Sequence, residues 1–203
     1  MHMITGLPNL LTLSRIAVIP AIVAAFYLDG NAANWTAFGL FIAAGITDYF
    51  DGYIARVRSQ QTAFGRFLDP VADKLLVGAT ILMMAAFDRL TGLVILPALV
   101  ILLREILISG LREFLGQAQI SVPVTKLAKW KTTVQFGALA LLLLGDAVGW
   151  ARDVGSAALW AAALLTLYTG YGYLSSGLRH IGASDRREKN AGQDRTASGG
   201  VDR

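Results

Sequence analysis

The sequence has no cysteine, which excludes disulfides and thiolate metal centres. Any metal bound here has to be held by oxygen, which points to Mg, Mn or Ca. No long segment recurs, so the internal repeats common in transporters are missing. The first apolar run has no basic lead and is long enough to span a bilayer, so a cleavable signal peptide is not expected. Extended polar stretches are also scarce before Gly182. From there to Arg203 the chain is charged and dotted with glycine, and it reads as a disordered tail, 182–203.

What fills the chain is apolar surface. Hydrophobic residues make up 55% of it and the mean hydropathy is +0.54. The apolar runs each approach the roughly 20 residues that a spanning helix needs. The sequence therefore predicts an all-α, polytopic membrane protein in which residues 1–181 form one six-span unit, with spans near 8–28, 35–57, 70–87, 91–113, 130–148 and 154–178. Pro20 and Pro97 fall inside these spans and predict kinks, because neighbouring helices can satisfy freed carbonyls. Trp35, Trp130, Trp150 and Trp160 lie mostly near span ends, as an aromatic belt requires. No nucleic-acid partner is expected.

Cations are unevenly distributed. Arg56, Arg58 and Arg66 lie between the second and third spans, Arg112, Lys126 and Lys129 between the fourth and fifth, and Arg179, Arg186, Arg187 and Lys189 after the sixth. Only Arg89 and Arg152 fall on the opposite side. The positive-inside rule then puts both termini and the second loop in the cytoplasm. His180, beside Arg179, reads as a headgroup-level surface residue.

Against that background stand four aspartates: Asp48, Asp51, Asp69 and Asp73. An ionised side chain at the bilayer centre costs about 2.5–3.5 kcal/mol on insertion scales, so four need a compensating charge. Asp48 and Asp51 are three residues apart, and Asp69 and Asp73 four apart, so each pair shares a helix face. Asp69 before Pro70 suits an N-cap followed by the first helical position, unless the helix begins earlier and bends. If the second and third spans are neighbours, four carboxylates converge, and two divalent cations would relieve their mutual repulsion. Gly52, Ala55 and Gly65 keep the surroundings low enough for a phosphate, and Arg56 offers it a fork of donors. Metals bridging phosphate oxygens are the usual core of phosphoryl transfer, and one aspartate is then spare to act as a base. The competing interpretation, salt bridges to Arg56, Arg58, Arg66 and Lys74, accounts poorly for four aspartates at helical spacing on two spans with interleaved glycines.

The pattern Asp48-x2-Asp51-Gly52-x2-Ala55-Arg56-x8-Gly65-x3-Asp69-x3-Asp73 resembles the complete signature of the CDP-alcohol phosphatidyltransferases, with every fixed position filled. The runs Leu7 to Arg15, Arg104 to Phe114 and Lys126 to Gln135 are similar to the bacterial branch whose acceptor is glycerol 3-phosphate. The resemblance implies a six-span homodimer of the bacterial inner membrane with its site open to the cytoplasmic leaflet. It implies two Mg or Mn ions held by Asp48, Asp51, Asp69 and Asp73, with Asp73 also the general base. It further implies a cytidine diphosphate group along Asp48, Asp51, Gly52, Ala55, Arg56, Gly65 and Asp69. The reaction implied is direct displacement, in which glycerol 3-phosphate attacks CDP-diacylglycerol to give phosphatidylglycerol phosphate and CMP. Inositol phosphate or serine would use the same motif as alternative acceptors.

A phosphorylated acceptor needs cations at the same membrane face. Glu105, Ser109 and Arg112 form a polar stripe on the fourth span, and Lys126, Lys129 and Thr133 another on the fifth. Arg112, Lys126 and Lys129 are the candidates for the acceptor phosphate, followed by Arg104, Lys131 and Arg15. Each lysine also reads as ordinary snorkelling, and Arg104 with Glu105 as an internal ion pair. Asn9, Thr12 and Arg15 stripe the first helix, where they either line the nucleotide site or bond helix to helix. Two rivals come from other classes. An intramembrane prenyltransferase would carry a second aspartate motif, and the second half of the chain has none. A cation transporter would be favoured by an internal repeat.

Overall fold

The computed structural model describes residues 7–57, 63–117 and 126–198, with the side chains of 12–48, 65, 67–116, 127 and 129–175. The described residues are helical throughout, without a strand. They form α1 (Leu7–Ala25), α2 (Asn31–Val57), α3 (Ala63–Ala86), α4 (Ile95–Gln117), α5 (Lys126–Leu144) and α6 (Ala151–Ser198). Short 3₁₀ turns at Gly92–Val94 and Gly145–Ala147 lead into α4 and out of α5.

The helices close into a ring. α1 packs on α2 and α3, α2 on α5, α5 on α6, α6 on α4, and α4 more lightly on α3. Close approach is possible because small side chains face the core: Ala25, Ala37, Ala44, Ala98, Ala138, Ala162 and Ala163 are buried among Ile22, Phe41, Leu76, Met84, Ile101, Leu139 and Leu143. The outside is apolar too. Leu82, Leu93, Leu164 and Tyr171 are more than 60% exposed, an arrangement that water penalises and lipid does not.

Gly92–Gly116 and Ala151–Ser175, at 25 residues each, are long and apolar enough to cross a membrane, and Thr12–Ala25 is a shorter apolar stretch. Sequence reading predicts six spans, so four of them fall short of that measure among the described residues. Asp48 of α2, Asp69, Asp73 and Lys74 of α3, and Lys129 and Lys131 of α5 place charge in these otherwise apolar helices.

Two expectations shift in detail. Pro97 does not kink a span: it occupies the first turn of α4, where its missing N–H has no partner to lose. Pro20 does lie inside α1. Asp69 is not an N-cap, because α3 already begins at Ala63 and carries Pro70 in its interior. At the other end of the sequence, α6 continues as helix to Ser198. The stretch from Gly182 to Ser198 has no proline, and its three Ala and three Arg favour helix while its two glycines do not.

The end of α3 opposite the cleft is tied down. Asp88 adopts a left-handed φ of 57°, and Arg89 N–H donates to Met84 C=O at 2.8 Å, closing a Schellman-type cap. The Arg89 guanidinium then donates to Leu143 C=O at 2.9 Å and lies 4.5 Å from the centre of the Phe26 ring. Burial draws its pKa below the ordinary arginine value while Asp146 opposes the fall, and an arginine remains charged throughout. One side chain thus joins α1, α3 and α5.

Candidate active site

The two aspartate-bearing helices do not pack against each other among the described residues. α1 stands between them and touches both. The condition that the second and third spans be neighbours is thus not met directly, and the reason lies in the polar stripe of α1. Arg15, 1% exposed, places Nη2 2.6 Å from Asp48 Oδ1 on α2. Thr12, one turn earlier and equally buried, donates from Oγ1 to Asp69 Oδ1 at 2.5 Å on α3. Of the two readings open for Thr12 and Arg15, helix-to-helix bonding is the one seen, and its targets are two aspartates of the motif.

Separation by α1 leaves room for a ligand. An open cleft of about 550 Å³ is bounded by Asp48 from α2, Asp69, Asp73 and Lys74 from α3, Arg104, Glu105 and Arg112 from α4, Lys129, Lys131, Thr132 and Thr133 from α5, and Tyr173 from α6. Asp48 keeps half of its side chain exposed despite the ion pair with Arg15. Three of the four predicted carboxylates therefore meet on one cleft. The helical backbone of α2 continues through Asp51, Gly52, Ala55 and Arg56, with Asp51 one turn beyond Asp48. The side chains of these four, and those of Asn9 and Lys126, lie outside the described residues. Gly65 is buried near the start of α3.

The facing wall is basic and internally organised. Glu105 accepts from Lys131 Nζ and, at 3.3 Å, from Arg104 Nη1. Arg104 also donates from Nη2 to Thr169 Oγ1 at 3.2 Å. Arg104 and Lys131 are thus held in an internal triad with one carboxylate, the ion-pair alternative weighed for Arg104 and Glu105. Arg112 instead donates to the Tyr173 hydroxyl at 3.3 Å and lies 5.5 Å from that ring's centre. Among the described residues neither Arg112 nor Lys129 makes an ion pair. Both cations face the cleft with charge to offer. Sequence reasoning missed Tyr173 and Thr169, since nothing in the apolar sixth span marks them as polar partners of α4.

Asp48, Asp69 and Asp73 supply only oxygen, a donor set that suits a hard divalent cation. Among the described residues no three acidic or histidine side chains are drawn together closely enough to hold a metal ion. An acidic wall facing a basic one fits a ligand carrying both metal-neutralised and free phosphate groups.

The chain belongs to the CDP-alcohol phosphatidyltransferase family, whose pattern it matches over residues 5–168. Three relatives carry the name CDP-diacylglycerol–glycerol-3-phosphate 3-phosphatidyltransferase. The one from Rickettsia felis is 48% identical over 174 residues, covering 84% of this chain and 94% of the relative. Its counterpart in Shigella flexneri is 42% identical over 173 residues, covering 84% and 94%. That of Cereibacter sphaeroides is 37% identical over 214 residues, covering 87% and 97%. Family membership and the two long apolar helices together point to a membrane protein.

Proposed function

We propose that this chain transfers the phosphatidyl group of CDP-diacylglycerol to glycerol 3-phosphate, giving phosphatidylglycerol phosphate and CMP. The observation that carries the reading is the single cleft with Asp48, Asp69 and Asp73 on one side and Arg112 and Lys129 on the other. A relative of that name at 48% identity, covering nearly its full length, supports the choice of substrates.

Asp48, Asp51, Asp69 and Asp73 would hold two divalent cations, Mg or Mn, which when bound neutralise the diphosphate and the departing CMP. The remaining work falls to the protein. Arg15 and Thr12 keep the Asp48 and Asp69 carboxylates aimed into the cleft. Gly52, Ala55, Arg56 and Gly65 take the cytidine diphosphate group. Arg112 and Lys129, with Lys126, bind the acceptor's phosphate, while Arg104 and Lys131 contribute from their triad with Glu105. Asp73 accepts the proton of the acceptor's primary hydroxyl as that oxygen bonds to the lipid-linked phosphorus and the bond to CMP breaks. Holding the reactants side by side removes much of the entropic barrier.

The same reading makes residues 1–181 a six-span catalytic unit of the bacterial inner membrane, a homodimer with both termini and the cleft on the cytoplasmic side. A lipid donor then enters from the bilayer and a charged acceptor from water. The test is CMP release by the purified chain in mixed micelles of CDP-diacylglycerol with Mg or Mn. Release should require glycerol 3-phosphate. Release driven by inositol phosphate or serine instead overturns the acceptor, and release driven by none of these overturns the reaction.

A further inference from the structure

One buried polar group beside the cleft has no work in the scheme above. Gln135 lies on α5 one turn past Lys131 and is only 4% exposed, yet its Oε1 has no hydrogen-bond partner among the described residues. Burying an amide oxygen unpaired destabilises the fold, and an apolar residue in its place would avoid that cost. Gln135 lines a cavity of about 260 Å³ between α3, α4 and α5 whose other polar walls are Asp73, Lys74 and Glu105. Those three residues also bound the main cleft, so the two spaces adjoin across them. Val71, Leu75, Val77, Leu102 and Ile106 line the rest of it, the exposed Leu75 and Ile106 at its outer edge, and apolar walls of this kind strengthen a hydrogen bond made beside Gln135.

We infer that Gln135 is a specificity-determining residue whose side-chain carbonyl accepts a hydrogen bond from the C2 hydroxyl of the acceptor alcohol. The inference rests on the phosphatidyl-transfer reading and deepens it. The chemistry selects the ligand: Gln135 Oε1 needs a donor, and the diacylglycerol part of the lipid offers only ester oxygens, which accept. Glycerol 3-phosphate brings two hydroxyls on adjacent carbons. When the primary hydroxyl is at Asp73, the secondary one is a single carbon away, within reach of a second group lining the same cavity. A site that pairs a buried acceptor with a substrate hydroxyl rejects the analogue lacking it, because the buried group is then left unsatisfied.

The test compares glycerol 3-phosphate with 3-hydroxypropyl phosphate, which keeps the phosphate and the attacking hydroxyl but lacks the C2 hydroxyl. The unaltered chain should favour glycerol 3-phosphate in kcat/KM by about tenfold or more. In Gln135→Leu, and in Gln135→Met should leucine fold poorly, the preference should fall to about twofold or less, with KM for CDP-diacylglycerol unchanged. Equal use of the two acceptors by the unaltered chain overturns the inference without any variant. Undiminished preference in the variants overturns it as well, as does an equal rise in KM for both substrates, which marks a purely structural role. Failure of the unaltered chain to use glycerol 3-phosphate at all is a separate result and overturns the reading of the site itself.

Discussion

Arg15 Nη2 lies 2.6 Å from Asp48 Oδ1, and this contact makes α1 the clamp that sets how far apart the two halves of the aspartate motif stand. Thr12 does the same for Asp69 from the adjacent turn. Neither residue needs to touch substrate to matter, since each orients a carboxylate proposed to hold metal. Thr12→Val and Arg15→Met should therefore raise the Mn concentration needed for half-maximal CMP release by about 10- to 100-fold, the usual effect of removing a partner behind a metal ligand. Unchanged Mn dependence in both variants would show that the clamp only packs helices. Because Asp48 is half exposed, water replaces much of what Arg15→Met removes, and the stability lost should stay near 1 kcal/mol.

Asp73 lines both the main cleft and the adjoining cavity that holds Gln135, which is where a base must be to meet an incoming hydroxyl. Asp73→Asn keeps the shape but cannot take a proton. Turnover should fall by about 10²- to 10⁴-fold while CDP-diacylglycerol still binds, measured by isothermal titration in detergent. Near-normal turnover would remove Asp73 from the role of base.

Helical spacing was enough to put Asp48 with Asp51 and Asp69 with Asp73, and the structure brings Asp48, Asp69 and Asp73 to one cleft. Periodicity reveals the face of a helix but not which helix lies beside it. For that reason the insertion of α1 between α2 and α3 was not legible, although the stripe of Thr12 and Arg15 that causes it was. Hydropathy located the helices and blurred their ends: α3 starts at Ala63, well before its apolar run, because Gly65, Arg66, Asp69 and Pro70 score as loop. Gln135 lay within a run singled out for its resemblance, but burial without a partner is a property of packing, and no one-dimensional pattern carries it.

Gly45 is one turn before Asp48 on α2, and a Cβ placed there would lie 2.1 Å from Phe136 Cζ. Phe136 is also stacked on Phe41 with ring centres 4.3 Å apart, so it cannot simply swing away. The missing side chain at Gly45 is what lets α5 close on α2 under the acidic wall. Gly45→Ala should destabilise the fold by about 1–3 kcal/mol as an overpacked core, and activity should fall with it because Asp48 moves with its helix. Thermal unfolding in detergent checks the first effect. Adding Phe136→Leu should restore part of the lost stability, and a double variant no better than Gly45→Ala alone would place the strain elsewhere.

The basic wall separates into two kinds of cation, and substitution should distinguish them. Arg104 and Lys131 share Glu105, so removing either leaves that partly buried carboxylate with one cation in place of two. Gly170 reinforces the point: a Cβ there would meet Arg104 Nε at 3.1 Å, so the arginine passes through a notch in α6 made for it. Arg104→Leu should therefore lower the unfolding temperature as well as weaken binding of the acceptor's phosphate. Arg112 and Lys129 have no such partner among the described residues, and their charge is free to meet an acceptor's phosphate. Arg112→Leu and Lys129→Leu should each raise KM for glycerol 3-phosphate by about tenfold, with KM for CDP-diacylglycerol and the unfolding temperature nearly unchanged. A rise in KM for the lipid donor in place of the acceptor would assign this wall to the nucleotide, and the two ends of the cleft would have to be exchanged.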